Sequence, residues 1–159
     1  MKAASIRELK PALKDCSHAE LLEITLKLAR FKKENKELLT YLLFEAADEE
    51  QYIRQIQEEI TTGFEEITAR SFFHIKKSIR KILRMTKTAI RYSKKKETEV
   101  ELLLHFVKEI QAFRPSIKRS SVMVNLRQRQ LERVEKLVAT LHEDLQYDYQ
   151  LELEQLSNY

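Results

Sequence analysis

The chain holds one glycine, Gly63, and two prolines, Pro11 and Pro115, in 159 residues. A sheet protein of that length needs many turns with positive φ, and a single glycine hardly supplies them, so the expected fold is all-α. Cys16 is the only cysteine, which excludes an intrachain disulfide and fits a reducing compartment. No run of 18 apolar residues occurs, and the opening MKAASIREL turns charged before the apolar core of a signal peptide could form. A cytoplasmic location with no membrane partner is the expectation. Also lacking are a glycine-rich phosphate loop, a pair of cysteines, a Glu-x-x-His pair and a supported Ser-His-Asp set. These gaps point to a non-enzymatic protein with no cofactor and no metal site.

What the chain does have is charge in blocks. Apolar residues make up 43% and charged residues 34%, the mix of a surface-charged helical protein with a core. Residues 48–70 sum to −5, residues 71–96 carry ten basic side chains and no acidic one, residues 97–113 sum to −3, residues 114–136 to +5, and residues 137–159 to −5. Each basic block lies between acidic ones, which suggests helices that answer each other's charge inside the fold.

The basic stretch from Arg70 to Lys96 organises the rest. At helical spacing Phe72, Ile75, Ile79, Ile82, Leu83, Thr86, Ala89 and Ile90 share one arc, and Lys76, Lys77, Arg80, Lys81, Arg84, Lys87 and Arg91 fill the adjacent one. The first arc is built for a core and the second for negative charge. Those seven cations are the candidate polyanion-binding face, with Tyr92 or Phe73 at its edge to stack on a base.

Before that stretch lie two capping boxes, Ser5-Ile6-Arg7-Glu8 and Ser17-His18-Ala19-Glu20, the second with Cys16 placed to staple onto Leu21. Pro11 is expected to kink or restart the first helix. Asn35 is the expected cap of a third helix, and Asp48 of a fourth, acidic one carrying Tyr52, Ile53, Ile56, Ile60, Phe64 and Ile67; a single bent helix over 36–68 is the alternative. After it, Glu97 to Phe113 reads as another helix, and Arg114-Pro115-Ser116 breaks the chain. The remainder reads as one long helix, with Leu131, Val134, Val138, Leu141 and Leu145 spaced 3, 4, 3 and 4 before the register slips to Tyr149, Leu153 and Leu156. More than thirty helical residues would span about 50 Å, longer than a compact domain of this size is wide.

The expected architecture is a single all-α bundle of six to seven mostly antiparallel helices. Residues 1–47 would form N-terminal hairpins, 48–113 an acidic and basic helix pair with a following helix, and 116–159 the long C-terminal helix. The stretches SIRELKPALKDCSHAELLEITLKLARFKKENKELLTYLL and IRYSKKKETEVELLLHFVKEI resemble an uncharacterised all-helical bacterial domain of unknown function, of the kind found in Bacteroidetes. That resemblance implies a helical fold and a bacterial source, and no activity. The opening is also similar, through Leu9-Lys10 and Leu13, to a SAP-type DNA-binding hairpin, with Cys16-Ser17-His18 where that motif has a glycine-lysine turn.

Two functions remain. The first is a non-enzymatic interaction or scaffold protein, meeting a partner or a second copy through Leu131, Val134, Val138, Leu141 and Leu145, with its basic face neutralised by Asp48, Glu49, Glu50, Glu58, Glu59, Glu65 and Glu66 or by the acidic end of the last helix. The alternative is a nucleic-acid-binding protein using the basic face of helix 71–93. The series Glu97, Glu101, His105 and Glu109 steps by four along a polar flank, and a solvated or salt-bridged face is the expectation there.

Overall fold

The computed structural model describes residues 1–158, and the secondary structure among them is helical throughout. In chain order the helices are α1 (Ile6–Lys14), α2 (His18–Phe31), α3 (Lys33–Thr40), α4 (Glu49–Glu65), α5 (Phe72–Ser93), α6 (Lys96–Ala112), α7 (Ser121–Val138) and α8 (Glu143–Ser157). A π-helical turn spans Tyr41–Glu45 and a 3-10 turn spans Ile117–Arg119. No described helix is long and apolar enough to cross a membrane. The chain divides into two compact units, residues 1–44 and the residues from 45 onward.

In the first unit both capping boxes form. The backbone N–H groups of Ser5 and Ser17 donate to the carboxylates of Glu8 and Glu20 at 2.8 and 2.7 Å, and these contacts with the serines hold both carboxyls below the usual range. α1 continues through Pro11 without restarting, and none of its residues is buried. Cys16 is half-buried, and its thiol donates to the Ala12 carbonyl at 3.3 Å. Asn35 does not open α3, which begins at Lys33; its Nδ2 donates instead to the Leu28 carbonyl at 2.8 Å and closes the last turn of α2. α2 and α3 pack on each other.

The second unit is built around α6. Eight of its residues are buried, among them Leu102, Leu103 and Leu104 in succession, so it is apolar on nearly every side and packs against α4, α5 and α7. Asp48 caps α4 by accepting from the Gln51 N–H at 3.0 Å. α4 buries Tyr52, Ile56, Ile60 and Phe64 at four-residue steps, and Phe64 meets the rings of Phe106 and Phe113 at 5.5 and 6.0 Å between centroids. α5 buries Ile75, Ile79, Ile82, Leu83, Thr86, Ala89 and Ile90, the arc expected from spacing with the exception of Phe72, which is half-buried.

Tie points fix the helix directions. Tyr52 at the start of α4 donates to the Ala89 carbonyl near the end of α5 at 3.0 Å, so the two run antiparallel. Thr98 and His105 on α6 meet Glu49 and Thr61 on α4, so those two are parallel. Glu99 pairs with Arg133, and Gln111 with Arg127, which makes α6 and α7 antiparallel. Half-buried Glu49 joins three segments: its carboxylate accepts from Thr98 Oγ1 at 2.6 Å and from Ser93, and pairs with Lys95 at 2.9 Å.

Eight helices exceed the six to seven expected, and the division of the C-terminal segment accounts for part of the difference. Instead of one rod over 116–159, α7 ends at Val138 and α8 begins at Glu143. Thr140 and Leu141 bond back to the Leu137 and Val138 carbonyls in tight turns, and the Thr140 hydroxyl also donates to Leu137 at 2.7 Å. His142 Nδ1 then caps α8 by accepting from the Asp144 N–H at 3.3 Å. Local side-chain bonds thus replace helical ones between Val138 and Glu143, although the 3-4 apolar spacing runs on through Leu141 and Leu145. Tyr159, the last residue of the expected rod, lies outside the described residues.

The residues expected to meet a partner are mostly covered within the chain. Leu131, Val134 and Val138 are 1%, 0% and 2% exposed, and Leu141 and Leu145 are partly covered. The 3-4 spacing faces α7 into its own bundle, so Leu131, Val134 and Val138 are core. Arg127 on α7 is also buried and donates to Gln111 at 3.0 Å and to the Leu156 carbonyl, at the end of α8.

Candidate polyanion-binding face

α5 exposes the cationic arc that its spacing foretells. Lys77, Arg80, Lys81, Arg84, Lys87 and Arg91 are exposed and Lys76 is half-covered. Among the described residues none of the seven forms an ion pair; Arg91 makes a single contact, to the Thr88 hydroxyl at 3.5 Å. Three of the acidic residues expected to neutralise them have other partners. Asp48 caps α4, Glu49 pairs with Lys95, and Glu50 pairs with Arg54 on its own helix. α4 lies beside α5 and both turn apolar arcs inward, yet among the described residues no ion pair joins the seven cations to it.

A groove of about 830 Å³ lies along one edge of this face. Arg80, Lys87 and Arg91 line it from α5, Arg129 and Arg133 from α7, and Glu99 and Leu103 from α6. Glu99 is committed to Arg133, which it holds through two contacts of 2.7 and 3.1 Å, and this pairing raises the Arg133 pKa further. Arg129 is exposed and forms no ion pair among the described residues, so the carboxylate in the groove leaves most of its positive charge unanswered. Leu83, Ile90, Val122 and Leu126 give it apolar walls. Phe73, 71% exposed and four residues before Lys77, ends the cationic stripe with an aromatic ring packed edge-on to His74 at 5.2 Å.

The two arginines of α7 were missed by the reading of α5 alone. Val122, Leu126, Arg129 and Arg133 step by 4, 3 and 4, a second stripe beside the buried Leu131 and Val134. That stripe and the +5 block over 114–136 are the signals that could have found them.

The series along α6 resolves into separate structural contacts. Thr61 Oγ1 lies 2.8 Å from His105 Nε2 and donates to Glu109 at 3.0 Å. Burial lowers the His105 pKa against the opposing pull of Glu109. Glu101 instead accepts from the Tyr149 hydroxyl at 2.6 Å, and burial followed by this bond raises that phenol's pKa. No three His, Cys, Asp or Glu side chains among the described residues are placed to share a metal ion.

Comparison with known proteins finds no family model, no curated protein and no solved structure that matches the chain. The resemblances to a Bacteroidetes-type helical domain and to a SAP-type hairpin therefore gain no support from it.

Proposed function

We propose that the unit from residue 45 onward binds a polyanion, with the phosphate backbone of a nucleic acid as its ligand. One observation carries this reading: six of the seven cations of α5 stand exposed and the seventh, Lys76, half-covered, none with an ion pair among the described residues, and Arg129 lines the groove beside them. Like charges held this close repel one another unless a counterion or a ligand answers them, and a phosphate chain answers all of them at once. Lys76, Lys77, Arg80, Lys81, Arg84, Lys87 and Arg91 contact phosphates, and Phe73 supplies a stacking surface. The contacts carry little base information, so the binding is expected to be weakly sequence-selective.

Fluorescence anisotropy with labelled duplex DNA, single-stranded DNA and RNA at low salt tests it. Binding should appear and should vanish in the Lys77→Glu/Lys81→Glu/Arg84→Glu variant. Absence of binding by the unaltered protein at low salt removes the reading.

A second reading, a non-enzymatic interaction protein, draws on a different observation. Thirteen of the large apolar side chains that stand exposed belong to residues 1–44.

A further inference from the structure

We infer that residues 1–44 are a self-association surface, through which two copies of this chain join. The first unit contains three helices and buries only Ala29 and Tyr41. Units this small rarely close a core alone and rely on disulfides, metals or oligomerisation. Its single cysteine excludes an internal disulfide.

α2 shows why one neighbour is not enough. At 100° per residue, Leu21, Leu22, Ile24, Leu26, Leu28, Ala29 and Phe31 spread over roughly 220° of its circumference, and a helix apolar over so wide an arc is one meant to be covered on more than one side. α3, eight residues long, covers part of it. Leu22, Leu28 and Phe31 remain 54%, 56% and 84% exposed. α1 is the complementary piece. It carries Ile6, Leu9 and Leu13 along one edge, and all three are exposed.

The occupant follows by elimination and by area. From residue 45 onward the chain closes its own core and, among the described residues, leaves exposed only four large apolar side chains, Phe73, Val122, Tyr147 and Leu151, on three different helices. That unit has no apolar face to offer in return. The matching face in this system is another copy of residues 1–44. Weighted by exposure, at about 100 Å² for a fully exposed large side chain, its thirteen exposed apolar side chains present on the order of 800 Å² of apolar surface, against the roughly 800 Å² per partner of a standard interface. Contact by the same patch on both copies closes a two-fold dimer. This contact is independent of the polyanion face.

Sedimentation velocity on the full chain is the test, with Leu28→Glu/Phe31→Glu as the altered protein and Tyr147→Glu/Leu151→Glu as the control. The unaltered chain and the control should sediment at twice 19.0 kDa, and the first variant at 19.0 kDa with its helical circular dichroism retained. A nitroxide on Cys16 gives a second readout: a defined distance between labels in the unaltered chain, lost in the Leu28→Glu/Phe31→Glu variant. A monomer at high micromolar concentration overturns the inference. So does a dimer that survives Leu28→Glu/Phe31→Glu, or a purified complex in which a foreign protein takes the place of the second copy.

Discussion

Removing two cations from the middle of α5 should change how steeply nucleic-acid binding depends on salt. From Lys76 to Arg91 the arc runs about 22 Å along the helix at 1.5 Å per residue, a length over which one strand presents about six phosphates. Taking five contacts, the slope of log K against log[salt] on duplex DNA is about −4.5, and affinity falls roughly 500-fold between about 50 and 200 mM salt. Lys81→Ala/Arg84→Ala removes two exposed side chains that take no part in the core, and alanine keeps the helix. The slope should then drop to about −2.7, and the loss over the same interval to roughly 40-fold. Anisotropy titrations at four or more salt concentrations measure both slopes. Equal slopes in the two proteins would show that these cations do not meet phosphates, whatever the affinity.

Other outcomes follow from the packing. A Cβ on Gly63 would lie 3.0 Å from Ile82 Cγ1, whose β-branched side chain is stiff, so Gly63→Ala should destabilise by about 1 kcal/mol despite its better helix propensity. In an Ile82→Ala background the same change should become stabilising by about 1 kcal/mol, and a urea double-mutant cycle without that reversal of sign would refute the close approach. Glu49→Ala leaves the fully buried Thr98 hydroxyl without its acceptor and should cost about 2–3 kcal/mol, with Glu49→Gln recovering part of it; a loss below about 0.5 kcal/mol would contradict this. His105 is held neutral by burial, so the unfolded chain binds more protons as pH falls through its ordinary value of 6.5. The stability this contributes is present above pH 6.5 and is lost as pH drops toward the lowered folded value. Urea midpoints of the unaltered protein minus those of His105→Gln should therefore decline on acidification, and a difference that is flat or rises would be the wrong sign.

Much of the fold is legible along the chain because it rests on local rules. The capping serines at 5 and 17, the Asp48 cap and the buried arc of α5 follow from neighbours three and four residues away, and those spacings survive in the structure. The scarcity of glycine settled the helical class for the same reason, since turn chemistry is local. Asn35 shows the limit: its side chain had two backbone partners within reach, and the path of α2 and α3 picked the carbonyl behind it over the amides ahead.

The sequence by itself determined which residues of α5 are oily and which are cationic. Only tertiary packing decided what stands opposite each set. Leu131, Val134 and Val138 have the spacing of a partner seam, and a seam reads the same whether its partner is another chain or α6 of its own. The acidic and basic helices likewise adjoin as their order suggests, yet apolar burial sets their rotation, and that rotation leaves the cations of α5 facing water rather than carboxylates. Hydrophobic burial depends on area and fixes the rotation first; ion pairs at a surface are too weak to turn a helix against it.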